Sequence, residues 1–161
     1  MGKKTIHHMS FDDVVHVNQV VVALSRESHA FSDADGDKLS ALTKEVEARA
    51  DNLSAEEAIP EKACLLVFKL ASGQYFHAGN KRTALVAGVA FLAKNGYHIN
   101  LRDQALIDTV DRAGVAAATL DDLFAVTEGL LTKARSDRKG WAGVVDSVVA
   151  SNREYLTSLA A

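Results

Sequence analysis

Phe76-His77-Ala78-Gly79-Asn80-Lys81-Arg82-Thr83-Ala84-Leu85 is the stretch on which the reading of this chain turns. A small flexible residue, an amide, two cations and a hydroxyl stand together, and an apolar pattern of helical period follows at once. Leu85, Val89 and Leu92 repeat on one face, and Val86 and Phe91 widen it. Lys94-Asn95-Gly96 then supplies the last-turn cation and the glycine that close a helix. The spacing predicts a buried helix over 83–95. A segment of this kind presents backbone N–H groups and cations at a helix N-terminus, where the dipole favours negative charge. Residues 73–82 are therefore read as an anion-binding loop.

Helical periods continue on both sides. Val14, Val17, Val21 and Leu24 make one apolar stripe on a first helix. Ser32-Asp33-Ala34-Asp35-Gly36 breaks the pattern and reads as a loop, after which Leu39, Leu42, Val46 and Ala50 predict a second helix. Ser54 with Glu57 is a capping-box pattern, read as a short turn before Pro60, whose fixed φ suits the first turn of the next helix. Ala63, Leu66, Val67 and Leu70 carry an apolar face as far as Ser72-Gly73. Residues 97–101 are short and read as extended. Two further helices are expected over 104–113 and 120–131, the second opening at Thr119 with Asp122 three residues on. Trp141, Val144, Val145, Val148 and Val149 predict a tail helix within 141–159. With a single proline and no repeat or linker, the expectation is an all-α, single-domain bundle over 1–161 with a buried central helix.

Composition bounds the function. Hydrophobic residues make up 48% of the chain and charged residues 24%, which supports a real core and excludes disorder on compositional grounds. A net charge of −3 argues against broad nucleic-acid binding, while Lys81 and Arg82 leave room for a local basic site. Cys64 is the only cysteine, so no internal disulfide forms, and its place in the apolar run 63–66 reads as a buried inert thiol in a reducing compartment. No apolar run approaches the roughly 18 residues of a membrane span, and residues 1–10 lack a secretory core, so a soluble cytoplasmic protein is expected.

Metal sites find little support. Asp33-Ala34-Asp35-Gly36-Asp37 is similar in composition to a calcium loop, but Gly36 stands at the fourth position rather than the sixth and Lys44 occupies the place of the bidentate glutamate. His7-His8 and His16 have no cysteine or carboxylate at ligand spacing.

The opening stretch resembles the signature of the Fic/Doc (Fido) family in its Doc-like (death-on-curing) form, a histidine-led loop ending in Gly-Asn-Lys-Arg-Thr-Ala. Gly79-Asn80-Lys81-Arg82-Thr83-Ala84 is that ending. An apolar helix over 60–71, the loop, the buried helix, an Asn-Gly-Tyr exit and a later helical segment follow the family's order over 11–132. A helical extension over 136–160 is left outside it.

The resemblance implies a Fic/Doc-type helical fold whose loop and following helix N-terminus hold the phosphates of a nucleotide such as ATP. In the family, a histidine at the head of the loop deprotonates a hydroxyl on a target protein, and an acid just before the glycine holds Mg²⁺. The outcome is transfer of AMP, or of a phosphate in Doc-type members, which act as toxins paired with an antitoxin. Gly79 and Asn80 then match the anion-hole pair, Arg82 the phosphate-contacting arginine, and Phe76 the aromatic anchor of the loop. Lys81 and Thr83 match the Doc-like variant, and Leu85 stands where many AMP-transferring members carry a second arginine.

Two positions depart from the pattern. The histidine belongs five residues before the glycine, where this chain has Gln74, and the metal-binding acid belongs at Ala78. Glutamine accepts no proton at useful pH, and a methyl group coordinates no Mg²⁺. Loss of a general base typically costs about 10²–10⁴-fold, and loss of the metal removes charge neutralisation besides. His77, three residues after Gln74, is the substitute base to weigh, although the family's side chain there usually points away from the phosphates. His98 has no motif behind it. Thr43 with Glu47 partly matches the family's inhibitory helix, but Ala48 replaces the expected Gly or Asn and a helix-surface pair is the simpler reading. The expectation is a catalytically degenerate Fic/Doc protein that keeps a nucleotide- or phosphate-binding loop over Gly79–Arg82, without Mg²⁺ at the usual place. The alternative is an active transferase of altered chemistry, with His77 as base, acting as a toxin on a target protein.

Overall fold

A computed structural model describes residues 5–27 and 29–159, so residues 1–4 of the amino-terminal stretch and residue 160 of the expected extension lie outside the described residues. The chain runs α1 (Phe11–Ala23), α2 (Asp33–Ala48), α3 (Ala55–Ser72), α4 (Asn80–Lys94), β1 (Tyr97–His98), α5 (Gln104–Gly114), α6 (Leu120–Leu130), β2 (Thr132–Lys133), α7 (Trp141–Ser151) and α8 (Arg153–Ser158). It is the all-α bundle that the periodicities predict, built around α4.

α4 is buried from Arg82 through Leu92, on every face rather than one stripe, as a helix at the centre of a bundle must be. α3 lies along it, and the contact depends on Gly88: a Cβ there would stand 2.3 Å from Val67 Cγ2. α1 and α7 pack on α4 as well, and α5 and α6 close the bundle against α3. Val144, Val145, Val148 and Val149 of α7 belong to the same apolar core as Val14, Val17 and Val21 of α1.

Capping chemistry sets where the helices begin. Ser10 and Asp13 form a reciprocal capping box on α1, and Thr119 and Asp122 form another on α6. Ser32-Asp33-Ala34-Asp35-Gly36, expected as a loop, is instead the N-cap and first turn of α2. The Ser32 hydroxyl accepts from the Asp35 N–H, and Asp33 and Asp35 face the positive end of the helix dipole. At the other end, Ala50 falls beyond α2 in a left-handed conformation (φ 59°).

The segment before Pro60 also departs from expectation. Ser54 caps one continuous α3, and Pro60 lies inside it rather than starting a new helix. The proline's missing N–H forgoes only the carbonyl of Glu56, in the helix's first turn. α4 likewise starts three residues earlier than the predicted 83–95, so Asn80, Lys81 and Arg82 are its first turn and not loop. The tail is two helices, broken at Asn152.

The extended segment forms a two-residue strand, and its partner β2 carries no sequence signal. The pair is antiparallel, with Tyr97 opposite Lys133 and His98 opposite Thr132. Lys62, fully buried, donates from Nζ to the Val46 carbonyl (3.3 Å), the Glu47 carbonyl (2.5 Å) and Asp51 Oδ1 (3.1 Å), closing the end of α2. Cys64 is buried, and burial pushes its thiol up to about 11, which fits an inert core residue. Among the described residues, no helix is long and apolar enough to cross a membrane.

Candidate functional site

The loop between α3 and α4 is held from both ends. α3 stops at Gly73, and Gln74 turns the chain in a left-handed conformation (φ 53°) that costs a non-glycine residue about 1 kcal/mol. Phe76 is buried edge-on against Phe31, with ring centroids 5.9 Å apart, and beside the His29 ring. The Asn80 side chain then folds back on it. Asn80 Oδ1 accepts the Phe76 N–H (3.0 Å), and Asn80 Nδ2 donates to the Phe76 carbonyl (2.8 Å). The resemblance places this amide in an anion hole; here it also clamps the loop.

A second support comes from α1. Asn18, fully buried among the valines, donates from Nδ2 to the Ala78 carbonyl (2.9 Å) and to Thr83 Oγ1 (3.1 Å). Its Oδ1 faces His29 Nδ1 at 2.7 Å, so the imidazole carries its proton on Nδ1. Burial holds the His29 pKa below its ordinary value, favouring the neutral ring.

Gly79 takes φ 75° at the N-cap of α4, and a Cβ would come within 3.0 Å of Val22 Cγ1. Glycine meets both the torsion and the close approach. It leaves α4 with no side-chain cap, and no acid stands in the first turn. The positive end of the helix is thus open to an external anion.

The two cations of the first turn are both engaged. Arg82, with a side chain 6% exposed, donates to the Val21 carbonyl (3.1 Å), Ser25 Oγ (3.2 Å) and Glu27 Oε1 (2.6 Å). The Ser25 hydroxyl also donates to Glu27, and this bond foremost, with Arg82 behind it, holds the Glu27 carboxyl below its ordinary pKa. Lys81 pairs with Asp111 of α5 at 3.3 Å, both side chains about half exposed. These groups line a cavity of about 440 Å³ at the start of α4. Its polar wall is Glu27, Gln74, Gly79, Asn80, Lys81, Arg82 and Asp111, and its apolar wall is Ala71, Leu85, Ile107 and Leu159.

The fold therefore brings Gln74, Gly79, Asn80, Lys81 and Arg82 to one cavity. Phe76 and Thr83 are buried outside its lining, and His77 is exposed and does not line it. The His77 backbone N–H donates to the Ala30 carbonyl. His98 is exposed on β1. Thr43 donates to the Ser40 carbonyl within α2, and the Glu47 backbone receives Lys62. Sequence reasoning missed Asn18, Glu27, His29 and Asp111. Asn18 alone carried a signal, an amide inside the Val14, Val17, Val21 stripe, where a buried polar group must find partners.

The residues do not fit the Mg²⁺ of the resembled chemistry. The Ala78 side chain offers no oxygen and its carbonyl already accepts from Asn18, while Glu27 and Asp111 are each committed to a cation. Among the described residues, no group of three or more His, Cys, Asp or Glu side chains could hold a metal ion.

No curated protein and no solved structure matches the chain. A family model described as Fic/DOC family matches residues 4–92, more than half of the 161 residues and all of the loop and the start of α4. The chain belongs to the Fic/DOC family.

Proposed function

We propose that this Fic/DOC-family chain binds a phosphate-bearing ligand at the start of α4 and has lost the family's transfer chemistry. The observation that carries the reading is the pairing of a kept cradle with two missing groups. Gly79, Lys81 and Arg82 line a cavity at an uncapped helix N-terminus, while Gln74 lines the same cavity in the place of the base and Ala78 replaces the metal-binding acid. The cradle supplies stabilisation for negative charge, as phosphoryl and nucleotidyl transfer require. A proton acceptor and a metal seat are what it lacks. The Lys81-Arg82-Thr83-Ala84 string supports the Doc-like branch.

His77 is poorly placed to replace the base. A general base must reach the proton that it removes, and His77 is absent from the cavity wall. The active-toxin alternative depends on that residue and is the weaker reading.

Calorimetric titration with inorganic phosphate tests the binding. Lys81→Ala is the clean variant, because Lys81 is half exposed and its pair with Asp111 contributes little to stability. Phosphate binding that weakens about five- to tenfold in the variant is expected. No heat of binding in the parent, or equal affinity in the two proteins, would overturn the reading.

A further inference from the structure

The cavity carries its charges already matched. Glu27 lies 2.6 Å from Arg82 and Asp111 lies 3.3 Å from Lys81, so the formal charges on the wall cancel before any ligand enters. A phosphate that engages either cation must share it with a carboxylate or displace that carboxylate. A displaced carboxylate in turn needs a new donor.

Ligand classes differ in how much negative charge accompanies that donor. A nucleoside triphosphate brings such donors, but it sets the charge of three phosphates against Glu27 and Asp111, with no acid at Ala78 to seat a compensating Mg²⁺. A phosphomonoester with hydroxyl or amino groups supplies both halves of the exchange. Its phosphate meets the cations, and its donors meet the carboxylates. Ala71, Leu85, Ile107 and Leu159 give its carbon skeleton an apolar wall. The Lys81–Asp111 pair opens at little cost because both partners are about half exposed. Arg82 has committed three of its five N–H donors to protein acceptors, so it can keep Glu27 and still offer the others.

We infer that the cavity takes a phosphomonoester bearing hydroxyl or amino donors, bound without a divalent cation, in preference to a nucleoside triphosphate. The inference rests on the phosphate-binding reading above.

The test is calorimetry on the intact protein with inorganic phosphate, AMP and ATP, each once in EDTA and once with Mg²⁺. AMP should bind equally well in both buffers, about tenfold tighter than ATP with Mg²⁺ and tighter than phosphate alone. Asp111→Asn, which removes one opposing charge at a half-exposed position, should bring ATP closer to AMP. ATP binding tighter than AMP, or AMP binding that needs Mg²⁺, overturns the inference. Phosphate binding with no gain for AMP overturns it too, while leaving the phosphate seat standing. Silence from all three ligands removes the seat and this inference together.

Discussion

Arg82 ties the end of α1 to the start of α4: one terminal nitrogen donates to the Glu27 carboxylate at 2.6 Å and the other to the Val21 carbonyl at 3.1 Å. The arginine that the family resemblance assigns to phosphate thus has a structural task as well. The guanidinium also lies close under the loop: a Cβ placed on Gly79 would stand 3.5 Å from Arg82 Nη2 and 3.0 Å from Val22 Cγ1.

Glu27→Gln should therefore change binding and acid stability together. Phosphate affinity should rise about three- to tenfold, because Arg82 no longer faces a charged competitor. The Glu27 pKa lies below its ordinary 4.5, through the Ser25 hydroxyl first and Arg82 next. A lowered carboxylate contributes stability that is complete above pH 4.5 and is lost as pH falls through the folded value. Urea midpoints from pH 6 to pH 3 should fall more steeply in the parent than in the variant; equal slopes would contradict the pairing.

His8 and His29 set a second pH dependence. Burial first, with Lys62 next at His8, lowers the His8 pKa from 6.5, and burial lowers that of His29. His8 Nε2 is buried with no hydrogen-bond partner among the described residues, and its ring sits 6.3 Å from that of Phe91. The unfolded chain therefore binds these protons first, and stability falls as pH drops below 6.5 toward the lower folded values. His8→Phe should flatten that fall between about pH 6.5 and pH 5 in chemical unfolding. A parent whose midpoint is constant across that range would refute it.

Lys62→Met should cost about 2–4 kcal/mol in urea unfolding at neutral pH. The buried ammonium serves the Val46 and Glu47 carbonyls, and a thioether donates to neither. A loss under about 1 kcal/mol would mean that the end of α2 is satisfied some other way.

Gly88→Ala should cost about 1–3 kcal/mol by overpacking, since its Cβ would meet Val67 Cγ2 at 2.3 Å. Val67→Ala makes room for it. The double variant should be less destabilised than the sum of the singles by about 1 kcal/mol or more, and simple additivity would place the α3–α4 contact elsewhere.

Local signals carried the fold further than they carried the site. The Val14, Val17, Val21 stripe and the Leu85 to Leu92 run are buried where their periods predict, because burial is what the period encodes. Ser32 to Gly36 misled because an N-cap and a turn draw on the same residue types. Pro60 misled because a proline near a helix start and one just inside the helix look alike in sequence. The Gly79–Arg82 string located the cavity from one contiguous segment. Glu27 and Asp111 lie far from it in sequence and have no period or motif of their own, so their pairing with Arg82 and Lys81 was legible only in the fold.

The central claim, a kept cradle without its base and metal acid, meets its most direct test in a transfer assay. Cell lysate and ATP labelled at the α or γ phosphate would be incubated with the parent and with the double variant Gln74→His, Ala78→Asp. The parent should label no protein, and the double variant should label protein in a Mg²⁺-dependent way. Labelling by the parent would show that the chemistry was never lost, and a silent, folded double variant would show that the cradle is not intact.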